Sequence, residues 1–330
     1  MKQDFPDFLK VTPENFNQFC LDRFRFQAEE VPPYKDFLYH LGVSPKKIQH
    51  YQEIPFLPIA TFKGHSVFSK PNIEPRFFAS SGTTGKNQSK HYFSDPSPYI
   101  RSFQAGFEGI YGPSSEWCIL ALLPNYLEQG ESSLVFMVNE LITASSIPES
   151  GFFLRNHQDL HNTILQLEKR GQKTLLIGVS FALLDFLDEF HFDNLKFTHV
   201  METGGMKGRR KEMIKTELHD LLMQGFGVSS IHSEYGMTEL FSQAYSTGAN
   251  RFACPNWMRA SIRELNDPLS NHWTGPKSGA LNMIDLANQE SCSFIATEDL
   301  ALLHADNTFE VLGRMDNSDV RGCNLLVSDL

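Results

Sequence analysis

The sequence predicts an α/β protein, with a large domain on a mostly parallel sheet followed by a smaller β-rich part. Three observations predict it. Short apolar runs suited to buried strands, at 117–123, 174–179 and 197–201, alternate with segments of helical apolar spacing. That alternation is the mark of βαβ units and a parallel sheet. After about residue 245 the pattern changes to strand-like runs at 280–284, 293–297 and 300–304, separated by polar, Gly and Pro punctuation. Finally, 330 residues at 41% hydrophobic and 21% charged make a globular chain, enough for one large or two moderate domains of roughly 100–200 residues each. The expected division is 1–245 for an α/β nucleotide- and acyl-binding domain, 246–312 for the β-rich subdomain and 313–330 for a hinge-like segment and tail.

The elements follow in order. Thr12-Pro13 reads as an N-cap with proline at the first helical position, and Phe16, Phe19, Cys20 and Phe24 follow at helical spacing. A second short helix is expected over 34–41, stopped by Gly42. Two prolines among large apolar residues make 54–59 an extended, packed segment. Residues 76–80 form a short apolar run that ends at a Gly/Thr loop. Asp95-Pro96 then caps a helix carrying Tyr99, Phe103, Phe107 and Ile110. Further helices are expected over 134–144, 159–170 (closed by Gly171), 183–190 and 207–223. In the first turn of the last, Lys207, Arg209, Arg210 and Lys211 crowd where the helix dipole disfavours cations. Either an anion sits there or the group is a solvated face.

Composition narrows the function. A net charge of -10 argues against a nucleic-acid or anionic-membrane binder, which needs a basic face. No apolar run approaches the about 20 residues of a membrane span, and the N-terminus lacks the apolar stretch of a secretory signal, so a cytoplasmic protein is expected. The five cysteines, Cys20, Cys118, Cys254, Cys292 and Cys323, are scattered and lack CxxC spacing, which speaks against a disulfide framework. A zinc site using Cys254 and Cys292 with His232 or His304 has no short ligand pair to support it, and small buried hydrophobes account for most of the thiols. The 28 phenylalanines supply core and candidate walls for an acyl pocket.

Three segments carry chemistry. The first is Ser80-Ser81-Gly82-Thr83-Thr84-Gly85-Lys86-Asn87-Gln88-Ser89-Lys90-His91, directly after a strand-like run. Glycines let backbone N–H groups approach an anion, hydroxyls donate to it and lysine supplies charge. It lacks Walker A spacing, and from composition alone it reads equally as a polar turn. The second is Ser233-Glu234-Tyr235-Gly236-Met237-Thr238-Glu239, after the strand-like 228–232. A carboxylate beside a hydroxyl in a glycine loop can hold Mg²⁺ and orient a phosphate, though many Thr-Glu pairs only start helices. The third is Thr297-Glu298-Asp299-Leu300 with Gly313-Arg314-Met315-Asp316-Asn317. An Asp after a strand can accept from ribose hydroxyls and an Arg can pair with phosphate, or the two can be a surface turn and ion pair.

Taken in this order, the segments resemble the signatures of the adenylate-forming enzymes, the superfamily of acyl-CoA synthetases, peptide-synthetase adenylation domains and luciferases. More narrowly, the chain is similar to the acyl-protein synthetase (LuxE-type) family, related to phenylacetate–CoA ligases. The similarity lies in 54–59, 80–91, Leu123-Pro124-Asn125-Tyr126-Leu127, Glu202-Thr203-Gly204-Gly205, 234–239 and 313–323, spread along nearly the whole chain. The resemblance implies an adenylate-forming N-terminal domain that uses ATP and Mg²⁺. It places Ser81, Gly82, Thr83, Thr84 and Gly85 on the pyrophosphate part of ATP, with Lys90 as the loop lysine. Gly204 and Gly205 would line the adenine pocket, Tyr235 and Gly236 would meet the base, and Thr238 would touch the α-phosphate. Glu239 would bind Mg²⁺ and Asp299 the ribose hydroxyls, with Arg314 nearby.

Two departures from the superfamily bear on this. Its loop lysine follows a proline soon after the last glycine, whereas Lys90 stands later, in Gln-Ser-Lys-His. The chain also ends seven residues after Cys323, so the roughly hundred-residue mobile C-terminal domain of full-length relatives, with its catalytic lysine, is expected to be missing. Cys323 itself lies in Arg321-Gly322-Cys323-Asn324, where an adjacent Arg lowers a thiol pKa modestly and a thiolate attacks an acyl-adenylate well. A buried, inert cysteine is the alternative. The resemblance implies acyl transfer to that cysteine from a fatty or aryl acid, and onward to a partner such as an acyl-protein reductase. A phenylacetate-type CoA ligase and a non-catalytic nucleotide- or acyl-binding subunit remain the other readings.

Overall fold

A computed structural model of the chain describes residues 6–70, 72–80, 88–124, 131–204 and 213–315. They fall into two compact units, one drawn from 6–74 and 256–315 and the other from 75–255. The first unit begins with α1 (Phe16–Glu30) and α2 (Pro32–His40). Phe16, Cys20, Phe24 and Ala28 form the buried stripe of α1, at the i, i+4 spacing that makes one face apolar. Thr12-Pro13 does not cap α1: residues 13–15 form a turn and Asn15 is the cap residue. Val31 separates the helices, and Pro32 starts α2 where a missing N–H costs nothing. The two-proline segment then supplies β1 (Leu57–Pro58), followed by α3 (Thr61–Gly64).

The second unit opens with β2 (Arg76–Ala79) and β3 (Lys90–Phe93), an antiparallel pair in which Ala79 faces Lys90. Helix α4 (Ser97–Tyr111) follows, its first turn held by Asp95, which accepts from the N–H and hydroxyl of Ser97. Then come β4 (Cys118–Leu122), α5 (Ser133–Ala144), β5 (Gly151–Phe152), α6 (His157–Lys169) and β6 (Thr174–Val179). The unit ends with α7 (Ser180–Glu189), β7 (Thr198–Thr203), α8 (Lys215–Phe226), β8 (His232–Tyr235) and β9 (Ala244–Ser246). Strand order is β5-β4-β6-β7-β8-β9, parallel from β5 to β8, with β9 antiparallel on the edge. Every residue of β4 and β6 is buried, as expected where helices cover both faces of a parallel sheet.

Alternation along β7 and β8 separates those faces. Glu202 and its register partner Ser233 point to α7 and α8, where Ser180 and His219 meet them. Thr203, Glu234 and Tyr245, each facing the next across β7, β8 and β9, lie on the other face, where the Tyr245 ring packs 3.8 Å from a Cβ built on Gly106 of α4. Gly227 ends α8 in the left-handed region at φ +62, and a Cβ there would sit 2.5 Å from the Asp193 carbonyl. The expected 207–223 helix thus begins later, at Lys215. Residues 213–214 are not helical, and Lys207, Arg209, Arg210 and Lys211 lie outside the described residues.

The chain then returns to the first unit with β10 (Met258–Glu264), β11 (Asp267–His272), β12 (Lys277–Asp285), β13 (Phe294–Leu303) and β14 (Phe309–Arg314). These pair antiparallel in the order β13-β12-β10-β11, with β14 also on β13. β1 joins the same sheet in parallel, Leu57 facing Ile295. Helix α1 is tied to these strands by polar bonds as well as packing. Buried Gln27 donates to the Asn288 carbonyl at 2.7 Å and accepts from the Ser293 N–H at 2.9 Å.

Candidate functional site

The second unit brings two of the three chemistry-bearing segments together. Ser81, Gly82, Thr83, Thr84 and Gly85 lie outside the described residues, but the ends of that segment are fixed. The Ser80 N–H donates to the Ser89 carbonyl at 3.0 Å, and the Ser89 N–H donates back to the Ser80 hydroxyl at 3.0 Å. Lys90 is the first residue of β3, its ammonium 4.3 Å from the centre of the Phe77 ring. Next to it, buried His91 donates from Nδ1 to the Thr238 carbonyl at 3.0 Å and lies against the Phe241 ring. The strand leaving the first segment is therefore hydrogen-bonded to the Thr-Glu turn of the second.

That second segment straddles the end of β8. Ser233, Glu234 and Tyr235 belong to the strand, Gly236 and Met237 leave it, and Thr238 and Glu239 form a turn. The expected strand at 228–232 is thus set a few residues later, because His232 to Tyr235 are the residues paired with β7. Tyr235 is buried and meets Phe252 edge-on, and Glu239 is buried. On β7, Gly204 follows the last strand residue at φ +71, which favours glycine, and its carbonyl accepts from Ser180. Gly205 lies outside the described residues.

Two carboxylates flank this end of the sheet. Burial favours the neutral acid of Glu202, but hydrogen bonding from His219, the Lys215 charge and a bond from Ser233 outweigh it and hold the carboxyl at about 2. Lys215 pairs with Glu202 directly, and Ser180 donates to it at 3.1 Å. Glu234 has no such partners among the described residues. It accepts from the Thr203 hydroxyl, yet burial dominates and raises its carboxyl to about 7. Sequence reasoning missed the partners Lys215 and His219, the role of His91, and Glu234 as more than a motif letter. A carboxylate just past each of two runs suited to buried strands was the signal available.

The third segment lies in the other unit. Asp299 sits within β13 rather than after a strand, because 293–297 and 300–304 are one continuous strand whose register shifts at Leu300/Ala301 against β14. Opposite it, Arg314 on β14 places Nε 3.6 Å from Asp299 Oδ1 and Nη2 3.9 Å from Glu298 Oε2. Lys63 approaches the same Glu298 oxygen at 3.8 Å. Asp299 and Arg314 are thus neighbours across a strand pair, as their separate motifs suggested.

Cys323 lies outside the described residues. Of the others, Cys20, Cys118 and Cys292 are buried, and burial pushes their thiols up, to about 11 for Cys118 and about 12 for Cys292. Buried thiols of this kind are inert at neutral pH. Among the described residues, no group of three or more His, Cys, Asp or Glu side chains is arranged to hold a metal ion. None of the described helices is long and apolar enough to cross a membrane.

Comparison with known proteins places these features in a family. The family described as acyl-protein synthetase, LuxE, matches residues 12–330. The search of curated proteins returned no match. Among solved structures, ATP-bound MatB from Rhodopseudomonas palustris is similar with a TM-score of 0.52 at 17% identity, over 72% of this chain and 47% of that one. An open 2-hydroxyisobutyryl-CoA ligase in complex with 2-HIB-AMP and CoA is similar with a TM-score of 0.65 at 11% identity, over 94% of this chain and 81% of that one. The same ligase in its postadenylation state gives 0.64 at 10% identity, over 96% and 75%. The chain spans about half the length of the MatB structure it matches. At these identities the likeness shows the fold, that of the adenylate-forming ligases.

Proposed function

Since the chain belongs to the acyl-protein synthetase (LuxE) family, we propose that it activates a small carboxylic acid with ATP and passes the acyl group to a protein thiol. A carboxylate oxygen attacks the α-phosphorus, the bond to the bridging oxygen breaks, and pyrophosphate leaves an acyl-adenylate. A thiolate then attacks the acyl carbon and AMP leaves. The observation that carries the reading is the His91–Thr238 hydrogen bond, which ties the strand leaving the Ser/Gly/Thr segment to the turn bearing Glu239. Pyrophosphate donors and an α-phosphate group are needed at one place, and that bond brings their two segments together.

In this reading Ser81, Gly82, Thr83, Thr84 and Gly85 cradle the departing pyrophosphate, with Lys90 beside them. Thr238 donates to the α-phosphate. Gly204, Gly205, Tyr235 and Gly236 border the adenine, and Asp299 accepts from the ribose hydroxyls next to Arg314. Glu239 offers hard oxygen donors in a turn beside that hydroxyl, which suits Mg²⁺. When bound, the ion offsets negative charge building on the phosphates. The nucleophile in this reading is Cys323, the C-terminal cysteine that the family resemblance implies; burial keeps Cys20, Cys118 and Cys292 protonated, and Cys254 is half-buried. The setting is cytoplasmic, the acid fatty or aryl, and the final acceptor a partner such as an acyl-protein reductase.

Incubation of the full chain with ATP, Mg²⁺ and a panel of carboxylic acids tests this by pyrophosphate release and intact mass. One acid should release pyrophosphate and add its acyl mass as a hydroxylamine-labile adduct. Cys323→Ser should abolish the adduct while pyrophosphate release persists. Turnover with CoA by a fully active Cys323→Ser variant would turn the reading to a CoA ligase, and ATP binding without pyrophosphate release would turn it to a binding subunit.

A further inference from the structure

Residues 297–299 leave the regular ladder of β13. Ala280 on β12 pairs with Leu300 and Asn282 pairs with Ala296, so the single residue Leu281 faces three, Thr297, Glu298 and Asp299. A bulge disrupts the ladder where it forms and re-aims the side chains it carries. This one is held by bonds that the ladder does not supply. The Thr297 hydroxyl donates to the Leu281 carbonyl at 2.8 Å and accepts from the Asp299 N–H at 3.2 Å. Arg263 completes the set. From β10 its side chain crosses β12, where its register partner Ala280 presents only a methyl group. Its Nη1 donates to the Leu281 carbonyl at 2.8 Å and to Asn282 Oδ1 at 2.6 Å. Its Nη2 donates to the Thr297 carbonyl and lies 4.0 Å from the Met315 sulfur.

A buried charge needs compensation, yet among the described residues the direct partners of this buried guanidinium are neutral oxygens and a thioether. Burial lowers it to about 10, against the charges of Asp299 and Glu298, which act to keep it protonated. An apolar side chain in its place would satisfy none of these oxygens, whereas the planar fork of an arginine reaches both strands at once. We propose that Arg263 is a positioning residue for nucleotide binding, fixing the bulge that presents Asp299 by bridging Leu281, Asn282 and Thr297. The inference rests on the proposed function, which gives Asp299 the ribose hydroxyls, and adds the group that sets that carboxylate in place. In this role Arg263 does not touch the nucleotide. It holds the Thr297 carbonyl directly, and it shares the Leu281 carbonyl with the Thr297 hydroxyl, which in turn receives the Asp299 N–H.

The test separates ribose recognition from general stability. ATP and 2′,3′-dideoxy-ATP, which lacks both ribose hydroxyls, are titrated calorimetrically with Mg²⁺ into the full chain and its variants. Pyrophosphate release with the acid panel is followed in parallel. Wild type should bind ATP about tenfold or more tighter than the dideoxy analogue. Arg263→Met should lose most of that preference while binding the analogue as wild type does. Thr297→Val, a milder change that removes only the hydroxyl link, should lose it severalfold and serves if the Arg263 variant does not fold. In an Asp299→Ala background neither substitution should change the preference further. Full preference kept by Thr297→Val or by a folded Arg263→Met, or equal weakening of both nucleotides, would overturn the inference and leave the proposed function standing. A wild type that does not bind ATP, or does not distinguish the two nucleotides, would remove the ribose role of Asp299 and the inference with it. A preference that follows these expectations without pyrophosphate release would leave the inference standing and remove the activation reading instead.

Discussion

Glu202 and Glu234 stand near the carboxyl ends of adjacent strands, on opposite faces of the sheet, and they ionise in opposite ways. Both are buried and both accept from a hydroxyl. On the face covered by α7 and α8, Lys215 and His219 reach Glu202, and the carboxyl is held at about 2. On the face under α4, Glu234 has Thr203 and tyrosines around it but no cation in contact among the described residues, and its carboxyl rises to about 7. Burial acts on both and raises both. What separates them is whether a cation and added donors are supplied. One face therefore carries a completed structural ion pair, and the other a buried carboxyl held neutral by its surroundings up to about pH 7.

Removing a partner from the completed face should have the largest effect. Lys215→Ala leaves a fully buried carboxylate without its direct cation, with an expected loss of about 3–5 kcal/mol in urea unfolding. A loss below about 1 kcal/mol would mean that His219 and the hydroxyls hold Glu202 unaided.

The pH dependence separates the two groups by window. Glu202 is depressed from 4.5, so its stabilisation is present above about 4.5 and is lost as pH falls toward 2. Glu234 is raised, so the folded state binds the extra proton between 4.5 and 7, and stability falls as pH rises through that range. A shift of this size corresponds to about 3 kcal/mol between the two ends of the window. Glu202, Lys215, Tyr245 and, through Tyr245, Tyr99 and Tyr111 are the titratable groups acting around it. His232, which burial and neighbouring His199 lower to about 4, acts in the same window with the opposite sign. The contribution of Glu234 is accordingly read as wild type minus Glu234→Gln: the variant should gain stability relative to wild type above pH 7 and lose that advantage near pH 4.5. Parallel stability curves for the two proteins would show that Glu234 stays ionised.

The smallest effect on stability is expected in the other unit. Arg314 is largely exposed, and its contacts to Asp299 and Glu298 are 3.6 and 3.9 Å. Arg314→Ala should cost below about 1 kcal/mol in unfolding. If Asp299 holds the ribose, the same variant should weaken ATP binding severalfold in calorimetry. Unchanged ATP binding would make the pair an ordinary surface contact.

Much of the parallel-sheet unit was legible because its signals are local. The apolar runs at 117–123, 174–179 and 197–201 became β4, β6 and β7, and Asp95 and Gly171 mark the helix ends they were read to mark. Errors arose where pairing rather than pattern decides. Helical spacing suggested a start at 207, yet α8 begins at Lys215. Two short runs around Asp299 fused into β13 because β12 and β14 pair along its length. Leu57-Pro58 read only as extended, since nothing local says that its partner is Ile295-Ala296. The motif letters located Glu202 and Glu234, but not which one has a cation, because Lys215 and His219 come from a helix whose docking depends on the whole sheet.

The pairing of β1 with β13 has a consequence for how the chain is made. Residues 75–255 are contiguous and carry their own core, so they can condense as soon as they leave the ribosome. The segment synthesised before them cannot finish its sheet until Phe294–Leu303 appears. The stretch before residue 75 is thus completed only after the unit that follows it, and its apolar α1 stripe needs shelter throughout that delay.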